Sequence, residues 1–171
     1  LVATGQCSNT LVGAVPKIAY WSLSTLPRFI SPDDIEQLID SCSMTTLTAR
    51  RDRAVLLLLA RLALRAGDVA ALELTDIDWR EGRIRVAGKN RREFWLPMPQ
   101  DVGDALVDYI QNERPDSREQ RVILKCIAPM RPANRTLISS IVRRAINRTG
   151  MDTPSAGAHL LRHSAATAML A

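Results

Sequence analysis

The sequence predicts an α+β fold, mostly α-helical, carrying one small three-stranded antiparallel sheet. Three observations point there. Apolar residues recur at helical spacing in several separate stretches, whereas between residues 76 and 97 the pattern switches to period two and is broken by turn residues. The chain has 171 residues, 46% of them hydrophobic and 24% charged, which suits one soluble domain able to bury a core without disulfides. Its longest apolar run, Ala54 to Ala60, is far too short to cross a bilayer.

The elements follow in order. Residues 1–30 hold Pro16, Pro27 and the pair Tyr20-Trp21 and read as a linker or the tail of an upstream domain. Ser31-Pro32-Asp33-Asp34 is a helix start, with Ser31 as cap, Pro32 in the first turn and acids at the positive helix end. Ile35, Leu38 and Ile39 give that helix its apolar stripe. Arg50 to Arg65 carries Val55, Leu58, Leu59 and Leu62 at helical spacing, and the extra leucines make it a central buried helix. Gly67 is placed to end it in the left-handed conformation, and Asp68 to cap a short helix through Leu74. Asp76–Trp79, Arg83–Val86 and Phe94–Leu96 then form a meander joined at Arg80-Glu81-Gly82 and Gly88-Lys89-Asn90. Helical patterns return at Val102–Gln111, Leu137–Asn147 and roughly His159–Leu170.

Charge narrows the partner. The net charge is +5, and nine basic residues against three acidic ones between Asn112 and Arg148 account for more than all of it. Arginine predominates, and its planar fork suits phosphate oxygens. A solvated basic face and a polyanion partner, nucleic acid first, both fit this pattern. Cys7, Cys42 and Cys126 are odd in number and widely spaced, as in a reducing compartment, and no signal peptide is recognisable, so a cytoplasmic protein is expected.

Four features carry possible chemistry. Arg65 closes the leucine helix, where a basic residue also complements the helix dipole. Asp68 reads equally as a cap. Lys89 reads equally as a solubilising charge on a β-turn. His159-Leu160-Leu161-Arg162-His163 is harder to explain structurally: His159 and Arg162 share one helix face, and both histidines of the chain lie in this run. As a zinc site, His159 and His163 lack the glutamate of the zinc-protease helix and a suitably placed third ligand. Phosphate-loop, dinucleotide, nucleophile-elbow and paired-carboxylate templates are missing.

Together, Leu64-Arg65-Ala66-Gly67-Asp68, Val86-Ala87-Gly88-Lys89 and His159-Leu160-Leu161-Arg162-His163 followed by Ser164-Ala165-Ala166-Thr167 resemble the catalytic domain of tyrosine recombinases (phage integrases) of the Xer type. The resemblance spans residues 31–171, in the family's order. It implies the DNA breaking-rejoining fold and strand transesterification on double-stranded DNA, with no metal or other cofactor and no membrane. It also implies self-association, or pairing with other recombinase subunits, on nucleoid DNA. Arg65 and Arg162 would clamp the nonbridging phosphate oxygens. Lys89 would protonate the departing 5′ oxygen, and His159 would move a proton or hold the phosphate. Asp68 would orient Arg65, His163 would support the site, and Arg91 and Arg92 would add DNA-backbone contacts.

The family's second His or Trp and its nucleophilic tyrosine normally lie beyond the point where this sequence ends at Ala171. The expectation is therefore a phosphate-binding core lacking its nucleophile and C-terminal tail, with residues 1–30 left from the junction to a core-binding domain. Tyr20 and Tyr109 match no nucleophile position, and Tyr109 reads as a core residue. The alternatives are a non-catalytic DNA-binding module that occupies sites or pairs with intact subunits, and an interaction protein whose basic face meets acidic partners.

Overall fold

A computed structural model describes residues 29–42, 46–87, 93–153 and 155–168. The expected linker up to Arg28, the residues Lys89, Arg91 and Arg92 of the expected second turn, and the expected helix end from Met169 fall outside them. The described elements are α1 (Pro32–Asp40), α2 (Ala49–Leu62), α3 (Ala66–Ala71), β1 (Ile77–Asp78), β2 (Arg83–Ala87), β3 (Glu93–Pro97), α4 (Gln100–Asn112), α5 (Arg135–Thr149) and α6 (Ala158–Ala168). The sheet is antiparallel in the order β1-β2-β3, with Ile77 opposite Ile84 and Val86 opposite Phe94. The α+β reading holds.

Helix α2 is the hub. Ala54 to Ala60 are all buried, and α1, α3, α4, α5 and α6 pack around them. A helix apolar on every side is stable only when enclosed in this way. Its first turn is capped from a distance: the Glu113 carboxylate accepts the backbone N–H groups of Arg50 at 2.8 Å and Arg51 at 3.1 Å. At α1, Ser31 is the cap as expected, and Asp34 returns the bond to complete a reciprocal capping box. Ser164, buried in α6, accepts the N–H of Ile30 at 3.0 Å and so ties the start of the described chain to its last helix.

The structure corrects the end of α2. The helix stops at Leu62, and Ala63, with φ of 49°, makes the left-handed turn expected at Gly67. Stopping there lets Leu64, only 4% exposed, drop into the core. Arg65 therefore starts α3 instead of closing α2, and Gly67 lies within α3. Asp68 is the third residue of α3, not its cap residue: its carboxylate reaches back to accept the Arg65 N–H at 3.1 Å. This short helix ends at Ala71, before a 3-10 turn at Leu74–Asp76.

The basic window is also not one surface. Arg114 binds the carbonyls of Glu119, Arg121 and Val122, bracing the long connection between α4 and α5. Arg121 binds the Ala71 carbonyl, Arg144 reaches Asp52, and Arg148 binds the Ser41 carbonyl. Much of the arginine excess is structural.

Candidate phosphate-binding cleft

Three elements converge on a cleft of about 670 Å³. The start of α3 supplies Arg65, Gly67 and Asp68; the start of α6 supplies His159 and Arg162; and α5 supplies Arg135 and Ser139. Arg65 and His159, 94 positions apart in sequence, thus face one space. Three guanidinium groups line it against a single carboxylate, Asp68. Such a surface attracts anions.

Helix α6 is built to present one polar edge. Leu160, Leu161, Ser164 and Ala165 are buried, while His159 and Arg162 lie on the opposite side. Arg162 is anchored across the cleft wall: its Nη1 donates to the Ala63 carbonyl at 2.7 Å. That bond satisfies a carbonyl at the C-terminal end of α2 and places positive charge on the negative end of the helix. A guanidinium has five N–H donors, so about four remain for a ligand.

Arg65 is held more loosely. Its side chain is 57% exposed, and its Nη1 lies 3.8 Å from Asp68 Oδ2, beyond hydrogen-bond length. The same oxygen accepts the Arg65 backbone N–H, so Asp68 serves the helix start and neighbours the guanidinium at once. His159 and His163 sit one turn apart with Nε2 atoms at 2.6 Å, one ring donating and the other accepting. His163 thereby touches His159 without itself lining the cleft.

Arg65, Asp68, His159 and Arg162 are therefore gathered together, with His163 behind His159. Lys89, Arg91 and Arg92 lie outside the described residues; β2 ends at Ala87 before them and β3 begins at Glu93 after them. Arg135 and Ser139 also line the cleft, although neither belongs to the motifs around Arg65, Lys89 and His159. A local signal existed for Arg135. A basic residue directly after the cap Asn134 opposes the usual preference for acids at a helix start. Tyr109, the one tyrosine among the described residues, is fully buried, and its hydroxyl accepts the Leu124 N–H at 3.1 Å. Among the described residues no group of three or more His, Cys, Asp and Glu side chains is placed to hold a metal ion, and no helix is long and apolar enough to cross a membrane.

The helical core with its small antiparallel sheet is the fold of tyrosine recombinase catalytic domains. The XerA recombinase superposes with a TM-score of 0.74 at 22% identity, covering 85% of this chain and 52% of that one. A lambda integrase tetramer solved on a Holliday junction matches with a TM-score of 0.65 at 16% identity, covering 97% of this chain and 48% of that one. The chain belongs to the phage integrase family, whose model matches residues 28–171. The Sinorhizobium fredii protein y4rA, named as an integrase/recombinase, is 47% identical over 167 residues, 97% of this chain. The chain spans 41% of that relative's length.

Proposed function

We propose that this chain is the DNA-handling catalytic core of a site-specific recombinase, and that the cleft between α3, α5 and α6 receives the scissile phosphodiester. The observation that carries this reading is the convergence of Arg65, Arg162 and His159 on one cation-rich cleft. Family membership and the likeness to a recombinase tetramer on a DNA junction support it.

The chemistry follows from charge. When a tyrosine hydroxyl attacks phosphorus, negative charge builds on the two nonbridging oxygens until the 5′ oxygen leaves. Arg162, anchored through Ala63, offers a preset fork to one side of that phosphate, and Arg65 approaches from α3. A donor fixed before reaction stabilises the transition state without reorganising, and one such contact contributes roughly 3 kcal/mol. His159 holds the phosphate or accepts the proton that the attacking hydroxyl releases, with His163 fixing its ring. Lys89, in the segment between β2 and β3, protonates the departing 5′ oxygen. Asp68 orients Arg65, while Arg91 and Arg92 grip the DNA backbone. The tyrosine nucleophile is not among the described residues, since Tyr109 is enclosed. Residues 1–30 join this core to a preceding DNA-binding unit, residues 31–171 form the catalytic domain, and subunits associate on DNA at the nucleoid.

Fluorescence anisotropy on duplex DNA across a salt series tests the binding claim. The logarithm of affinity falls linearly with that of salt, by about 0.9 per phosphate contact. Arg162→Ala weakens binding by about 10- to 100-fold, the range for charged hydrogen bonds. Unchanged affinity for this variant overturns the cleft assignment. A second reading is DNA occupancy without cutting, since Tyr109, the one tyrosine among the described residues, is enclosed and offers no nucleophile. A duplex nicked beside the cleavage point separates the two, because a cutting chain becomes covalently attached to it. A merely occupying chain leaves any adduct to a partner subunit.

A further inference from the structure

Arg135 opens α5, at a helix start that Asn134 caps through a 2.9 Å bond from the Leu137 N–H to its side-chain oxygen. The Arg135 side chain lies across the first turn of α3, because a Cβ placed on Gly67 would sit 3.4 Å from Arg135 Cδ and 3.6 Å from its Nε. The guanidinium therefore borders the same cleft as Arg65 and Arg162. Unlike Arg144 and Arg148 of the same helix, it makes no hydrogen bond or ion pair among the described residues. It is exposed at the positive end of a 15-residue helix that has no acid in its first turn. Both the helix end and the guanidinium favour an anion, and among the described residues no carboxylate pairs with this arginine, Asp68 of the same cleft included.

From this we infer that Arg135 is a further phosphate-binding residue, which takes the phosphodiester adjacent to the one held by Arg65 and Arg162. The inference rests on the proposed function, since it presumes that a DNA strand runs through the cleft. A single phosphodiester has two nonbridging oxygens, and two guanidinium forks already occupy them. A third fork, lying against Gly67 in the same cleft with the Ser139 hydroxyl one turn along α5, is left for the next phosphate of the same strand. Arg135 is then a binding and register residue: it sets which phosphate is presented to the other two arginines.

The full chain carrying Arg135→Gln is compared with wild type, with Arg162→Gln and with Arg118→Gln, an exposed arginine outside the cleft. Duplex DNA binding is followed by anisotropy over a salt series, with circular dichroism to verify folding. Arg135→Gln is expected to keep the fold and lower the salt slope by about 0.9, the increment for one phosphate. Short oligothymidylates locate that phosphate: wild type gains affinity from the dinucleotide, with one phosphodiester, to the trinucleotide, with two, and Arg135→Gln loses this gain. If Arg162→Gln weakens binding while Arg135→Gln matches wild type or Arg118→Gln in slope, Arg135 contacts no phosphate. If Arg135→Gln lowers dinucleotide binding as much as trinucleotide binding, the adjacent-phosphate assignment is overturned. If Arg162→Gln also has no effect, the cleft reading itself fails.

Discussion

Two groups of arginines in this molecule share a residue type and differ in everything else. At the start of α2, Arg51 is 4% exposed and binds Asp52, itself 3% exposed, through Nε at 3.0 Å and Nη2 at 2.7 Å. Its remaining arm reaches Cys126 Sγ, and Arg144 closes on the second Asp52 oxygen at 3.2 Å. Every charge there has a protein partner. In the cleft, Arg162 spends one bond on a carbonyl, Arg65 stands 3.8 Å from its carboxylate, and Arg135 meets none among the described residues. The first group completes itself on folding, whereas the second is left with donors to fill. Satisfaction of the guanidinium separates structural from ligand-facing arginine more sharply than net charge does.

The comparison breaks most visibly at Asp52. Asp52→Ala strands the buried Arg51 charge, and losing one partner of a buried pair costs about 3–5 kcal/mol. Urea denaturation is expected to show that loss, while the folded fraction keeps its DNA affinity. A smaller loss would mean that water reaches Arg51.

Alkali tests the enclosed side of the molecule next. Burial pushes the Cys42 thiol up to about 11 and the Tyr109 phenol up to about 12. Their ordinary values are 9.0 and 10.0, so between these limits the unfolded chain releases protons that the folded chain keeps. Stability is therefore insensitive to both groups below about pH 9. It falls as pH rises towards 12, each group losing about 1.4 kcal/mol for every pH unit between its unfolded and folded values. Denaturation midpoints measured from pH 8 to 11 check the sign.

Arg162→Ala sharpens the contrast from the cleft side. It removes one side-chain bond to the Ala63 carbonyl, about 1 kcal/mol of stability, and is expected to lower DNA affinity by about 10- to 100-fold. Arg65→Ala, on a 57% exposed side chain, is expected to lower affinity with no measurable change in melting temperature. The smallest effect concerns Ala63, whose φ of 49° is unfavourable for any residue with a Cβ. Ala63→Gly is expected to stabilise the chain by up to about 1 kcal/mol in the same denaturation assay.

How much of this was legible in the sequence depends on whether a signal was local. The Ser31 cap, the apolar run of α2 and the β1–β2 turn at Gly82 rest on neighbouring residues, and each stands as read. The end of α2 misled because glycine is the usual left-handed residue and the nearest one was Gly67, whereas burial of Leu64 forces the turn at Ala63. The connection from Glu113 to Asn134 carries no periodic pattern. It is held by Arg114 and by pairings such as Glu73 with Arg121, which no short window contains. For the cleft, the motifs around Arg65 and His159 suggested a meeting that the fold provides. Arg135 carries a local oddity, a basic residue directly after a helix cap, but its contact with Gly67 exists only in three dimensions and did not set it apart from the other eight basic residues around it.

The central claim is that Arg65 and Arg162 grasp one phosphate. A double-mutant cycle on duplex DNA binding, with Arg65→Gln, Arg162→Gln and the pair, tests it most directly. Residues sharing a ligand group couple by about 0.5–3 kcal/mol, so the double variant should lose clearly less affinity than the two single losses combined. Strict additivity, with each arginine acting as though the other were absent, would contradict the shared phosphate.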